Sequence, residues 1–145
     1  MTQEQTNSLI EYGSRRVIIT ITVVLCTLLE LIDTTVVNVA TTTLMGNLGA
    51  TLSEVSWVVA SYAIANVIIV PMSGWLSATF GRKYYFAGSV TIFTFGSLMC
   101  GLSNSIWVLV FWRFVQGIGG GALFATSQTI LKEIYPPEKM GMAMA

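Results

Sequence analysis

Long apolar runs alternate with short polar breaks along this chain, and the breaks carry nearly all of its charge. Four runs stand out, at residues 17–39, 55–76, 84–102 and 106–131. As helices rising about 1.5 Å per residue, each is long enough to cross a hydrocarbon core of about 30 Å. The breaks have the chemistry of helix ends. Gly46-Asn47-Leu48-Gly49-Ala50 reads as a loop, and Thr51-Leu52-Ser53-Glu54 has the spacing of a capping box that opens the second helix. Gly81-Arg82-Lys83 predicts a very short basic turn and Ser103-Asn104-Ser105 a tight polar one, while Pro136-Pro137 stops the fourth helix. Pro71 falls inside the second run and predicts a kink there. Residues 1–16 form a polar tail. Residues 132–145 form a polar loop followed by what reads as the start of a fifth helix. The pattern predicts an all-α integral membrane protein with four transmembrane helices and a fifth just beginning.

The first run carries a polar stripe. At about 100° per residue, Glu30, Asp33, Thr34, Val37 and Asn38 share one helix face, which Thr27 and Thr41 extend. The other face is Leu, Ile and Val. Carboxylates left in hydrocarbon cost several kcal/mol, so this face must meet protein or a cavity rather than lipid. Arg113 places a cation in the fourth run, with Gln116, Gly117 and Gly120 on its face. A buried cation needs an anion, and Asp33 or Glu30 is the expected partner. With two acids and one base, one carboxylate is left over and is able to exchange a proton. A static ion pair that fixes helix register is the plainer alternative. Asp33, Glu30 and Arg113 are therefore the candidate proton-coupling residues. Thr34, Asn38, Asn66 and Gln116 are the candidate pore or substrate groups, although an interhelical hydrogen bond accounts equally well for Asn66. Phe93, Phe95 and Phe124 read as packing residues.

Gly117-Ile118-Gly119-Gly120-Gly121-Ala122 matches the glycine pattern of dinucleotide sites, but that pattern needs a preceding strand and a βαβ unit. Here it lies inside an apolar helix. Gly117, Gly121 and Ala125, spaced by four, instead make a small-residue face for close helix packing. Gly119 lies about 160° from Gly121 and is expected to stand outside that contact.

Composition agrees with the pattern. Of 145 residues 54% are hydrophobic and 10% charged, where a soluble domain carries about 25% charged residues. Mean hydropathy is +0.73. There is no histidine, and the two cysteines, Cys26 and Cys100, lie deep in apolar runs without metal-ligand spacing. No cofactor or metal is expected, nor an enzyme, and no nucleic-acid partner. The first run lacks a small-residue cleavage site and should act as an uncleaved anchor. Of the seven basic residues, all but Arg113 fall on one side if the runs alternate across a bilayer: Arg15, Arg16, Arg82, Lys83, Lys132 and Lys139. The excess places the N-terminus in the cytoplasm of a multi-pass inner-membrane protein.

Three segments together resemble the major facilitator superfamily, in its EmrB/QacA-type branch of fourteen-span drug:proton antiporters. Leu31-Ile32-Asp33-Thr34-Thr35-Val36-Val37-Asn38-Val39-Ala40 resembles that branch's first-span motif. Gly74-Trp75-Leu76-Ser77-Ala78-Thr79-Phe80-Gly81-Arg82-Lys83 is similar to the superfamily's cytoplasmic 2–3 loop motif, carried here by Gly74, Gly81, Arg82 and Lys83. Arg113-Phe114-Val115-Gln116-Gly117-Ile118-Gly119-Gly120-Gly121 resembles the fourth-span motif. The likeness runs from about Leu28 to Ala145. Four departures stand out. Ala78 and Thr79 replace an acid and a base of the loop motif, where the acid helps latch a cytoplasmic gate. Thr41-Thr42-Thr43 replaces a proline, Met140 stands for a basic residue, and Glu30 is an additional acid.

The resemblance implies a proton-driven exporter of lipophilic or cationic compounds, with Asp33 exchanging the proton. It implies a periplasmic membrane-fusion adaptor and an outer-membrane channel as partners, besides the lipid bilayer. It also implies a chain that continues past Ala145, since such transporters need two six-helix halves. Two alternatives stand beside it. One is a self-contained four-span exporter of the small multidrug resistance type, working as a dimer. The other is a non-transporting membrane fragment with structural contacts only.

Overall fold

The computed structural model describes residues 13–134, and every regular element among them is a helix. These are α1 (Gly13–Leu48), α2 (Leu52–Phe80), α3 (Arg82–Gly101) and α4 (Ile106–Ile134). The start of the expected tail, the Tyr135-to-Lys139 segment and the expected fifth helix lie outside the described residues.

Local chemistry sets the ends. Thr51 Oγ1 accepts from the Glu54 backbone N–H at 3.3 Å, and Glu54 Oε2 accepts from the Thr51 N–H at 2.8 Å, so the capping box that opens α2 is formed. The loop before it is shorter than expected. Gly46, Asn47 and Leu48 continue α1, and the chain leaves the helix only at Gly49, whose φ of +61° favours glycine. Burial explains the difference: Leu44, Met45 and Leu48 pack on a cluster of Ala50, Val55, Val58, Ile106 and Leu109, which outweighs the weak helix propensity of Gly46. Gly81, with φ +82°, is the single residue between α2 and α3. α2 runs as one helix through Pro71.

By length and composition, three stretches are able to cross a membrane: Val17–Val37, Leu52–Phe80 and Ile106–Glu133. α3 is not among them: its 20 residues are long enough to cross, but Tyr, Gly, Ser and Thr dilute its apolar residues, and it stands as the expected third span on its length and its place between the other helices.

α4 is the hub. Half of its membrane-length stretch is buried against the other helices, compared with 6% for α1. α2 and α3 lie along α4, and α1 touches it over a shorter stretch. The approach is closest at glycines. A Cβ on Gly117 would stand 2.7 Å from Tyr62 O, and one on Gly121 2.5 Å from Ile69 Cγ2, so α2 lies directly on these two residues. Ala125, one turn on, is half-buried.

Gly119 departs from expectation. A Cβ there would stand 2.6 Å from the backbone N of Phe93, and one on Gly96 would stand 2.9 Å from Gln116 Cα. A single small-residue stripe describes one neighbour, but α4 has two and is clamped by α2 on one side and α3 on the other. A second apolar cluster, Tyr62, Phe93 and Leu123, fills the space between these contacts. Much of α1 keeps its Leu, Ile and Val side chains exposed, as at Ile18 and Leu29, so its outer face is left for lipid or further protein.

Candidate functional site

The polar stripe of α1 crosses α4 at Arg113. Arg113 is 2% exposed and Gln116 wholly buried, because the close approach of α3 and α2 seals this level of α4. Arg113 Nη1 donates to Asp33 Oδ2 at 2.7 Å and to Gln116 Oε1 at 2.9 Å. Gln116 Nε2 donates to Asp33 Oδ1 at 2.8 Å. The three side chains close a ring in which both carboxylate oxygens are occupied. Such closure matters, because removing two charges from water is repaid only when hydrogen bonds saturate the pair.

The ring has neighbours. The Tyr62 ring lies under the guanidinium, with Arg113 Cζ 4.6 Å from its centroid, a distance at which the ring's π face stabilises a cation. Tyr62 Oη donates to Glu30 Oε1 at 3.5 Å, a long hydrogen bond. Cys100 Sγ donates to Gln116 Oε1 at 3.5 Å. Arg113 Nε has no hydrogen-bond partner.

The structure thus separates the two acids that the sequence left equivalent. Asp33 is the partner of Arg113. Glu30 does not serve as its counter-charge, because it lies one turn back along α1 and is reached by Tyr62 instead. Glu30, Thr34 and Asn66 line a cavity of about 320 Å³ between α1, α2 and α4, with Gly121 and Phe124 on its α4 wall. Thr34 Oγ1 donates to the Glu30 carbonyl at 3.1 Å. Gln116 is not on this cavity, since it is consumed by the ion-pair ring. The Asn38 side chain lies outside what the structure describes.

Sequence reasoning missed Tyr62, Cys100 and Phe124 as members of the site. Tyr62 had a signal, a hydroxyl four residues before Asn66 in an apolar run, and so on the same helix face. Phe124 and Cys100 had none, since each resembles any other packing residue.

At the far end of α4, Arg82 of the 2–3 loop motif pairs with Glu133. Both side chains are about half exposed, so the pair contributes about 0–1 kcal/mol. Lys83 and Gly74 are exposed. Among the described residues no group of His, Cys, Asp or Glu is arranged to hold a metal ion.

Chemically, the arrangement makes the α1–α4 tie depend on one charge. Neutralising Asp33 would leave Arg113 buried without its anion, which is unfavourable enough to drive a rearrangement.

Comparison with known proteins agrees with this architecture. Residues 23–145 match the family model described as Major Facilitator Superfamily. The chain is 41% identical over 133 residues to the multidrug export protein EmrB of Escherichia coli strain K12, which covers 92% of this chain and 26% of that protein. It is 43% identical over 127 residues to the probable multidrug resistance protein EmrY of the same strain, covering 88% of this chain and 25% of that protein. It is 35% identical over 127 residues to the fatty acid resistance protein FarB of Neisseria gonorrhoeae, with the same coverage. The chain spans about a quarter of the length of these relatives. No solved structure matches it.

Proposed function

This chain belongs to the Major Facilitator Superfamily, and from that premise we propose that the whole protein is a proton-driven exporter of lipophilic or cationic compounds. The observation that carries the reading is the buried ring of Asp33, Arg113 and Gln116 between α1 and α4. A carboxylate that alternates between charged and neutral forms there would make and break that tie. In the charged form Asp33 holds α1 to α4 through Arg113. On taking a proton from the outside it releases the guanidinium, and the balance between inward- and outward-facing states shifts. Release of the proton inside restores the ring.

The names of the relatives support the export of drug-like compounds: EmrB is a multidrug export protein, and FarB confers fatty acid resistance. The match over residues 23–145 speaks against the small four-span alternative. We place the protein in the inner membrane with the N-terminus cytoplasmic, on the distribution of basic residues. A periplasmic adaptor and an outer-membrane channel complete the proposed assembly.

Everted vesicles carrying the full-length transporter test the reading. With an acid-inside gradient set up by respiration, adding a transported compound should release protons and restore acridine orange fluorescence. Export that is indifferent to a proton ionophore would overturn it.

A further inference from the structure

We propose that Tyr62 is the positioning residue for proton exchange at Asp33: its ring face is the partner that Arg113 keeps when Asp33 is neutral. The proposal rests on the transport reading above and names what holds the cation in the state which that reading requires.

Arg113 is buried, and among the described residues Asp33 is its ion-pair partner. Its other contacts are with neutral groups, Gln116 Oε1 on its own helix and the Tyr62 ring on α2. Arg113 Nε has no hydrogen-bond partner to add to these. Once Asp33 is neutral, an amide oxygen and a π face are left to compensate a guanidinium shut away from water. A cation–π contact is strongest for such a desolvated cation. Glu30, the other acid of α1, is met by the Tyr62 hydroxyl rather than by Arg113.

The ring also belongs to the part of the fold that holds together. Arg113, Gly117 and Gly120 are spaced i, i+4, i+7 and share one face of α4, and Tyr62 lies along that face. A Cβ on Gly117 would stand 3.1 Å from Tyr62 Cα, and one on Gly120 would collide with the Tyr62 hydroxyl. The two glycines therefore make the seat in which the ring lies. α2 packs along α4, whereas α1 touches α4 over a shorter stretch. A shift of α1 that carries Asp33 away thus leaves the stack of Tyr62 and Arg113 in place. The hydroxyl is the lesser end, since its bond to Glu30 is 3.5 Å long. The titratable and charged groups around Asp33 are Arg113 from α4, Glu30 on α1 itself, Tyr62 from α2 and, through Gln116, Cys100 from α3. Of these, Tyr62 both touches the guanidinium and stands apart from α1.

The test places phenylalanine and its monofluoro, difluoro and trifluoro forms at position 62 of the full-length transporter. Ring fluorines weaken the π face while nearly keeping shape and packing, so a merely structural role would not respond to them. The readout is the infrared band of the neutral Asp33 carboxyl, assigned by its absence in Asp33→Asn and followed through a pH titration in detergent. Each fluorine should lower the midpoint relative to Tyr62→Phe, because neutral Asp33 then leaves Arg113 less compensated. Across the series the shift should reach about one pH unit, a tenfold change in the proton equilibrium. Tyr62→Leu, which removes the ring, should lower it at least as far. A midpoint that stays constant or rises across the fluorinated series would overturn the proposal and leave gradient-driven export standing. If Asp33 gives no carboxyl band at any pH, proton exchange there fails, and the reading beneath the proposal falls with it.

Discussion

Arg113 and Tyr62 are stacked, guanidinium over ring, with 4.6 Å between Cζ and the ring centroid. The stack joins a buried cation to both acids of α1: Arg113 holds Asp33, and the Tyr62 hydroxyl reaches Glu30. Arg113→Ala should therefore cost about 3–5 kcal/mol, because it leaves Asp33 without its partner in a largely apolar setting. Arg113→Lys should recover only part of this: one ammonium nitrogen is able to serve Asp33 and Gln116 as Nη1 does, but the planar contact over the Tyr62 ring is lost. Thermal unfolding of full-length protein in detergent reads both. Equal melting of Arg113→Ala and the parent would contradict the ring as drawn.

The two-sided clamp on α4 makes a sharper packing prediction than a single stripe does. Gly117→Ala and Gly119→Ala should both destabilise, by about 1–3 kcal/mol, because each Cβ meets backbone that has little room to move. Gly88→Ala should be tolerated, since nothing lies within 4 Å of a Cβ there. Melting temperatures of the three variants check the order.

Loss of the capping box should be felt locally. Thr51→Ala removes an acceptor for the Glu54 N–H and should cost about 1 kcal/mol. Hydrogen exchange at the first turn of α2 should rise, with little change at α4.

Orientation is open to direct labelling. In a background without other cysteines, Lys83→Cys should resist an impermeant thiol reagent in intact cells and Asn104→Cys should react. The reverse pattern would invert the proposed topology.

Helix existence was legible because apolar runs of membrane length and the chemistry of Thr51, Glu54 and Gly81 speak locally. So was the need for an ion pair between the first and fourth runs. Which acid makes it was not. Glu30 and Asp33 differ by about 60° and about 4.5 Å along one helix, and only the packing of α4 decides between them. The same holds for Gln116, whose side chain suits a pore or a buried bond equally and is claimed by the bond. Gly119 was misjudged because sequence spacing describes one face of a helix at a time. Gly46 to Leu48 looked like a loop by composition, and the packing of Leu44, Met45 and Leu48 that keeps them helical is a tertiary fact.

The most direct test of the account is substrate efflux from proteoliposomes of the full-length transporter under an imposed pH gradient, with a neutral lipophilic substrate. Asp33→Asn keeps the shape and much of the hydrogen bonding but has no proton to exchange. It should bind substrate yet lose gradient-driven export and its pH dependence, while Glu30→Gln should still respond to the gradient. If Asp33→Asn exports as well as the parent and Glu30→Gln is inert, the coupling residue is Glu30, and the role given to the Asp33–Arg113 pair is wrong.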